Sequence, residues 1–285
     1  MDILGAFNTG VAFSVGSLTV RWYGVIISCA MAVGIMLAYA ETKRQHLDED
    51  HLFNILLLVI PAAIIGARLY YVLFEWSRYA AEPGKIFAIW EGGLAIHGGI
   101  IAGALAIWLY CRAKREDFLR WTDIIAPSLA FGQACGRWGN YFNNEAYGSV
   151  IEPDSFWSWV PMQVFAEGAY HHPTFLYESL WDALIFVTLL ILLRRPHRIG
   201  SIFACYLVFY SIGRFFIEML RTDSLMLGPF KQAMLISAVG VVIGVLILSA
   251  INKRPLLDVA AEPPAKDKQY KKDKRRSKKG RAGRA

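Results

Sequence analysis

The sequence predicts an all-α, polytopic membrane protein, and three observations carry the prediction. Apolar residues make up 55% of the 285 positions. They come in long unbroken blocks, not in the short periodic stripes that a soluble core leaves. Lys and Arg gather in alternate gaps between the blocks, as cytoplasmic loops require.

Seven blocks are long enough, or nearly so, to cross a hydrocarbon core of ~30 Å at ~1.5 Å per residue. They cover about 21–40, 52–74, 94–112, 121–136, 174–194, 201–220 and 230–251. The fourth is the shortest and reads as a tilted or partly buried helix. With the N-terminus outside, cytoplasmic segments hold 22 Lys and Arg, outer segments hold six, and Arg68 and Arg214 fall within spans. That split predicts an outer N-terminus and a cytoplasmic C-terminus. Met1-Asp2-Ile3-Leu4 lacks a positive n-region, so the first span is expected to serve as the insertion signal.

Each element has its own signature. Tyr23 sits at the outer start of span one, and Arg68 lies six residues before the outer end of span two. The segment 75–93, with Trp76, Phe87 and Trp90, reads as an interfacial arm, since Trp favours the headgroup level. Span three opens through Gly92-Gly93-Leu94-Ala95-Ile96-His97-Gly98-Gly99. Span four ends at Gly136, and 137–173 is rich in aromatics, Pro and acids, so it reads as a folded extracytoplasmic cap. Span five opens at His172-Pro173, and Pro suits a first helical turn. Spans three and seven carry Gly99/Gly103 and Gly240/Gly244, a spacing that serves close helix packing.

The expected organisation is a membrane domain over 1–261 and a basic, disordered cytoplasmic tail over 262–285. Residues 266–285 hold eleven Lys and Arg and two Asp, so the net charge of +7 leaves the rest of the chain at −2. Such a tail suits anionic inner-leaflet lipid, or acts only as a solvated anchor of topology. Without aromatic interleaving it does not point to nucleic acid. Cys29, Cys111, Cys135 and Cys205 lie in or beside apolar blocks, without the spacing of a metal or redox motif. They read as small core residues. No metal and no cofactor is expected.

Polar groups converge at the outer depth. Arg214, Glu218 and Arg221 are spaced i, i+4, i+7, so they form one stripe on span six. Arg221 falls at the outer rim and Arg214 ~10 Å deeper. Arg68, His97, Tyr23, Arg137 and the pair Tyr177-Glu178 fall at similar depth from other spans. The inner half holds little beyond Asp123 and Asp182, both read as structural. Ionisable groups in a bilayer are costly and face an interior cavity. The same stripe also fits an ion-pair ladder that only joins helices, Arg68 also fits an interfacial anchor, and Tyr23 alone fits one too. A cavity lined by arginines suits an anionic headgroup, because guanidinium meets phosphate in charge-assisted, often bidentate bonds.

The run Gly136-Arg137-Trp138-Gly139-Asn140-Tyr141-Phe142-Asn143-Asn144-Glu145-Ala146-Tyr147-Gly148 follows span four directly. It closely resembles the signature of prolipoprotein diacylglyceryl transferases, with Tyr141 where Phe is usual. The resemblance extends to Trp22-Tyr23-Gly24, Gly66-Ala67-Arg68-Leu69, His97-Gly98-Gly99, His172-Pro173-Thr174 through Tyr177-Glu178, and Arg214-Phe215-Phe216-Ile217-Glu218 with Arg221. It covers about residues 20 to 250.

The resemblance implies a multi-pass enzyme of the bacterial plasma membrane with its site at the outer leaflet. It implies transfer of the diacylglyceryl group of phosphatidylglycerol to the lipobox cysteine thiol in the signal peptide of a prolipoprotein. The products are a thioether and glycerol phosphate. It assigns chemistry to Arg137 and Arg214, with His97 as the base for the thiol. Alternatively His97 orients lipid, or Tyr23 assists. Arg68, Gly98, Gly99, Asn140, Asn143, Glu145, Gly148, Glu218 and Arg221 would shape the lipid site. The rival reading is a lipid or anion transporter with an arginine-lined outer cavity. Such transporters often show two related halves, and no internal repeat is visible here.

Overall fold

Among the described residues, seven long helices run back and forth between two ends. The computed structural model describes residues 10–257, apart from positions 17, 225 and 255. The basic tail expected at 262–285 and the boundary expected at 261 lie outside the described residues. The long helices are α1 (Trp22–Arg44), α2 (Glu49–Phe74), α4 (Ile96–Lys114), α5 (Phe118–Asn143), α6 (Thr174–Leu193), α7 (Ser201–Leu220) and α8 (Gln232–Ala250). A short α3 (Trp76–Ala81) follows α2. Trp22, Phe74, Ile96, Asn143, Thr174, Leu220 and Gln232 mark what we call the motif end; the opposite end is the far end.

The chain is an all-α polytopic protein. Among the described residues, six helices are long and apolar enough to cross a membrane: α1, α2, α4, α6, α7 and α8, the last continued to Lys253. The expected fourth span lies inside α5, which has 26 residues and lacks the apolar content of the other six. Its neighbours explain the difference. α5 packs against α1, α6 and α7, and it buries Trp121, Thr122, Asp123, Ile124 and Gly139 among other residues. A helix enclosed by protein needs less lipid-facing apolar surface. Asp123 shows the use of one such polar residue. Its carboxylate accepts from the backbone of Gly200 (2.6 Å) and Phe203 (2.8 Å), satisfying amides that the start of α7 leaves without intrahelical partners.

Two apolar clusters tie the helices together. Ala38, Leu52, Ile55, Tyr110, Cys111, Trp121 and Ile124 join α1, α2, α4 and α5 toward the far end. Ala126, Ala130, Ile185, Leu189, Leu193, Ile202 and Tyr206 join α5, α6 and α7. Far-end hydrogen bonds add to this: Arg44 donates to the Leu193 carbonyl (2.7 Å), and Arg120 to Gln45 Oε1 (3.3 Å).

Small residues set the tightest approaches. Gly66 on α2 and Gly98 on α4 face each other so closely that a Cβ on Gly98 would lie 2.2 Å from the Gly66 carbonyl oxygen. On α8, Gly240 meets Ser211 and Gly244 meets Val208 and Ala204 of α7, while Gly99 and Gly103 meet Ala63 and Val59 of α2. The small-residue spacing thus does serve close helix packing.

The motif end carries the irregular structure. A hairpin of β1 (Val11–Val15) and β2 (Leu18–Arg21) leads into α1, where Trp22 stacks on Phe142 at 5.5 Å. Beyond α5, residues 144–173 include a 3-10 turn (Phe156–Trp159) and a hairpin of β3 (Val164–Ala166) and β4 (Ala169–His171). Val164 and Ala166 pack with Phe175 of α6 and with Trp138 and Tyr147.

Replacing Gly98 by Leu is expected to force α2 and α4 apart and to cost at least about 1–3 kcal/mol. Thermal unfolding in detergent measures it. Ala at Gly132, where a Cβ meets nothing within 4 Å, should leave the midpoint unchanged or raised. Equal midpoints for wild type and Gly98→Leu would refute the close-packed joint.

Candidate functional site

A continuous chain of charges runs across α5, α6 and α7 at the motif end. Glu178, in the second turn of α6, meets two arginines from different helices. Its Oε2 faces Nε of Arg137 on α5, and its Oε1 accepts from Nη1 of Arg214 on α7. Arg214 then reaches Glu218 one turn along its own helix, Nη2 to Oε2 at 2.6 Å. Glu218 also lies 3.9 Å from Nε of Arg221. Arg221 closes the chain with a two-pronged bond to Asp223, Nε to Oδ1 at 3.0 Å and Nη2 to Oδ2 at 2.9 Å. Glu178 and Glu218 are almost wholly buried, at 4% and 2% exposure. Three guanidiniums and three carboxylates balance. Asp182, one turn further along α6, is a fourth buried acid beside them.

Sequence spacing explains the register. Arg214 and Glu218 stand i, i+4 on α7 and so share a face. Lys231, at the start of α8, then fixes the end of that helix. Its ammonium donates to the carbonyls of Glu218 (2.7 Å), Met219 (3.3 Å) and Arg221 (2.6 Å), gathering the chain where that helix ends.

The glycine- and asparagine-rich motif is largely helical. α5 continues through Asn143, seven residues past the end expected at 136. Arg137 and Asn140 therefore lie one turn apart on the same helix. Asn144 turns the chain with φ +52° and Ala146 follows at +58°. This fold-back brings Glu145 under the helix end, where its Oε1 accepts from Asn140 (2.9 Å) and Asn143 (3.2 Å). Tyr23 packs on Gly139, where a Cβ would lie 2.1 Å from the ring. Gly148 joins two segments. Its amide donates to the His172 carbonyl (2.9 Å) and it bridges Arg221. A Cβ there would come within 2.8 Å of the His172 Cβ and 3.1 Å of the Leu220 oxygen. Gly148 thus brings the cap onto the end of α7.

Arg68 and His97 stand elsewhere, on the α2–α4 pair. Arg68 is buried, and its guanidinium donates to the carbonyls of Lys85, Ile86 (2.9 Å), Ala88, Gly92 (2.6 Å) and Gly93 (3.0 Å). All five acceptors belong to the arm between α3 and α4. Gly92 and Gly93 adopt φ of +87° and +72°, and a Cβ on Gly93 would meet Arg68 Nη1 at 2.5 Å. Arg68 therefore organises the arm and does not touch the Glu178 cluster. His97, half-buried in the first turn of α4, lies beside Tyr70 with ring centroids 6.0 Å apart. Gly98 and Gly99, its neighbours, are spent on packing α4 against α2.

The cap adds two histidines. His171 is buried with Nδ1 at 2.8 Å from the Gly148 carbonyl and Nε2 at 3.1 Å from that of Ala166. His172 contacts the Tyr177 hydroxyl through Nδ1 (3.0 Å), and Trp157 stands edge-on to it at 5.7 Å. Burial holds the His172 imidazole below its ordinary 6.5. Among the described residues, no group of three or more His, Cys, Asp or Glu is placed to hold a metal ion.

The sequence places Glu178 among the polar groups at the outer depth but names no partner for it, and it gives Lys231 no role. For Glu178 a signal existed: an acid inside an apolar block must find a cation. For Lys231 there was none, because its value lies in reaching carbonyls of a different helix.

A family model described as prolipoprotein diacylglyceryl transferase matches residues 10–250. A Clostridium botulinum (strain Langeland) protein named phosphatidylglycerol–prolipoprotein diacylglyceryl transferase is 46% identical over 247 residues, covering 86% of this chain and 97% of that protein. A Trichormus variabilis protein of the same name is 44% identical over 266 residues, covering 89% and 94%. One from Clostridium novyi is 43% identical over 245 residues, covering 85% and 95%.

Replacing Glu178 by Ala leaves two guanidiniums facing each other without their shared acid. The expected loss is about 3–5 kcal/mol, the range for breaking a buried pair from one side, read as a lowered unfolding midpoint. His172 makes a pH prediction. Its folded-state value is depressed, so below about 6.5 the unfolded chain binds more protons than the folded one. Its contribution is complete above that pH and is lost as pH falls toward the folded value. A midpoint-against-pH curve should therefore drop on the acid side, and His172→Gln should flatten that drop. An unchanged slope in the variant would remove His172 as the cause.

Proposed function

The chain belongs to the prolipoprotein diacylglyceryl transferase family, and we propose that its reaction centres on Arg137 and Arg214. The protein is a multi-pass membrane enzyme that moves the diacylglyceryl group of phosphatidylglycerol onto a prolipoprotein. Family membership decides between this and the transport reading. The observation that carries the site assignment is Glu178 holding guanidiniums from two separate helices side by side at the motif end.

The acceptor is the lipobox cysteine thiol in the precursor's signal peptide. Its sulfur attacks the glycerol carbon that bears the phosphate, forming a carbon–sulfur bond. The carbon–oxygen bond breaks, and its electron pair leaves with glycerol phosphate. The thiol proton passes to a base and finally to solvent or the departing phosphate. Negative charge grows on the phosphate as it departs, so donors aimed there favour the transition state over the bound lipid. Arg137 and Arg214 supply them. Glu178 and Glu218 hold those guanidiniums in place, and Arg221, tied to Asp223, guards the rim. Asn140, Asn143 and Glu145 form the adjoining polar edge, Gly148 seats the cap, and Tyr23 closes the side toward α1. His97 takes the thiol proton from the α4 side, with Gly98 and Gly99 fixing its helix. Arg68 serves the lipid site indirectly, through the arm.

The motif end faces outward, with the site open to the outer leaflet of the plasma membrane. The Lys and Arg split of 22 to six supports this sidedness. The basic tail would then lie on the anionic inner leaflet.

Purified protein, phosphatidylglycerol vesicles and a lipobox peptide should yield a peptide heavier by one diacylglyceryl unit in mass spectrometry. Arg137→Ala and Arg214→Ala should each lower turnover by at least about 10²-fold, as loss of a charge-stabilising donor does. Near-normal turnover in either, with the protein folded, would refute its role. His97→Gln should lose most activity near neutral pH and regain it as pH rises and the thiol ionises unaided. Activity that stays low at every pH would assign His97 to lipid orientation instead.

A further inference from the structure

The arm encloses a cationic hollow away from the Glu178 cluster. Arg68, Tyr71, Arg78, Tyr79, Lys85, Gly92 and Gly93 line a cavity of about 110 Å³. At its base lies Arg68, 5% exposed, whose described hydrogen bonds all go to neutral carbonyls. Carbonyl dipoles satisfy the guanidinium's donors but bring no opposite charge. No described carboxylate pairs with it, in contrast to Arg137, Arg214 and Arg221, so a full positive charge stays buried without a counter-ion. Two more cations stand at the rim. Arg68 and Arg78 lie near the same Tyr79 ring, at 5.0 and 5.9 Å. Lys85 faces the exposed Glu82 at 2.8 Å, a contact that solvent weakens. A buried cation of this kind favours any anion that can approach it.

Position and size select the anion. The hollow has room for a few waters or one phosphate group. The arm that forms it exposes Trp76 and Trp90, side chains that favour the headgroup level. Beside it, the last turns of α2 expose Leu69, Leu73 and Phe74, at 53%, 71% and 74%, a surface suited to acyl chains. We propose that this hollow seats the headgroup phosphate of an anionic phospholipid, at a place separate from the transfer site. Arg78 and Lys85 contact the phosphate oxygens, and Arg68 supplies charge from below. The seat stands on the arm's geometry and not on the transfer reaction.

The test counts retained lipid. Wild type and an Arg78→Gln/Lys85→Gln variant are purified in detergent, supplied with phosphatidylglycerol, phosphatidylcholine or inorganic phosphate, and weighed intact by native mass spectrometry. The wild type should retain one more phosphatidylglycerol than the variant, and phosphatidylcholine should not replace it. Both substituted side chains are at least partly exposed, and an Arg78→Lys/Lys85→Arg variant, which keeps the charges, should retain the lipid. Arg137→Ala, which disables the transfer site, should retain it as well, so failure of the transfer reading would leave this result standing. Equal phosphatidylglycerol counts in wild type and the Gln variant would overturn the proposal. So would displacement of the lipid by inorganic phosphate at similar concentration, which would identify a free-phosphate site.

Discussion

Glu178 accepts from Arg214 and faces Arg137, and those arginines come from helices on either side of it. Two guanidiniums this close repel unless an acid stands between them, and the repulsion grows as water is excluded. The acid in turn is buried, and a lone buried charge is costly, so it depends on them. Each charge is tolerable only because the others are present. That mutual dependence fixes where α5, α6 and α7 meet at the motif end. The remaining devices there serve it: Lys231 holds the end of α7, Gly148 brings the cap down on it, and Glu145 folds back under α5.

Much of this layout was legible in the sequence, for physical reasons. Six helices declare themselves because lipid on several sides demands apolar residues all round. α5 was read as short because hydropathy measures exposure to lipid, and this helix is enclosed by α1, α6 and α7. Its last two turns read in sequence as the start of the cap, since Gly136, Gly139 and the asparagines look like loop chemistry; packing on Tyr23 and Glu145 overrides that propensity. The i, i+4 step from Arg214 to Glu218 was readable because it is local. Arg68 was not. Its depth matched the other polar groups, but depth along a helix does not say which way a side chain leaves it. Its acceptors come from a folded arm 17 to 25 residues away in sequence.

The two kinds of arginine at this end differ electrically, and the difference bears on the two proposed sites. Arg137, Arg214 and Arg221 are neutralised by Glu178, Glu218 and Asp223, so the cluster carries little net charge to hold a monoanionic phosphodiester. In the proposed reaction its donors count most when the phosphate gains a second negative charge as the carbon–oxygen bond breaks. Weak binding of the ground state with stronger binding of the developing dianion is what raises a rate and not only an affinity. Product release benefits too, because a site of three bare guanidiniums would retain glycerol phosphate. Arg68 is the opposite case: its charge meets only dipoles, so an anion beside it is stabilised throughout and gains nothing from bond breaking. Carboxylates therefore belong where an anion must come and go, and among the described residues none pairs with Arg68, where the proposed lipid is to stay.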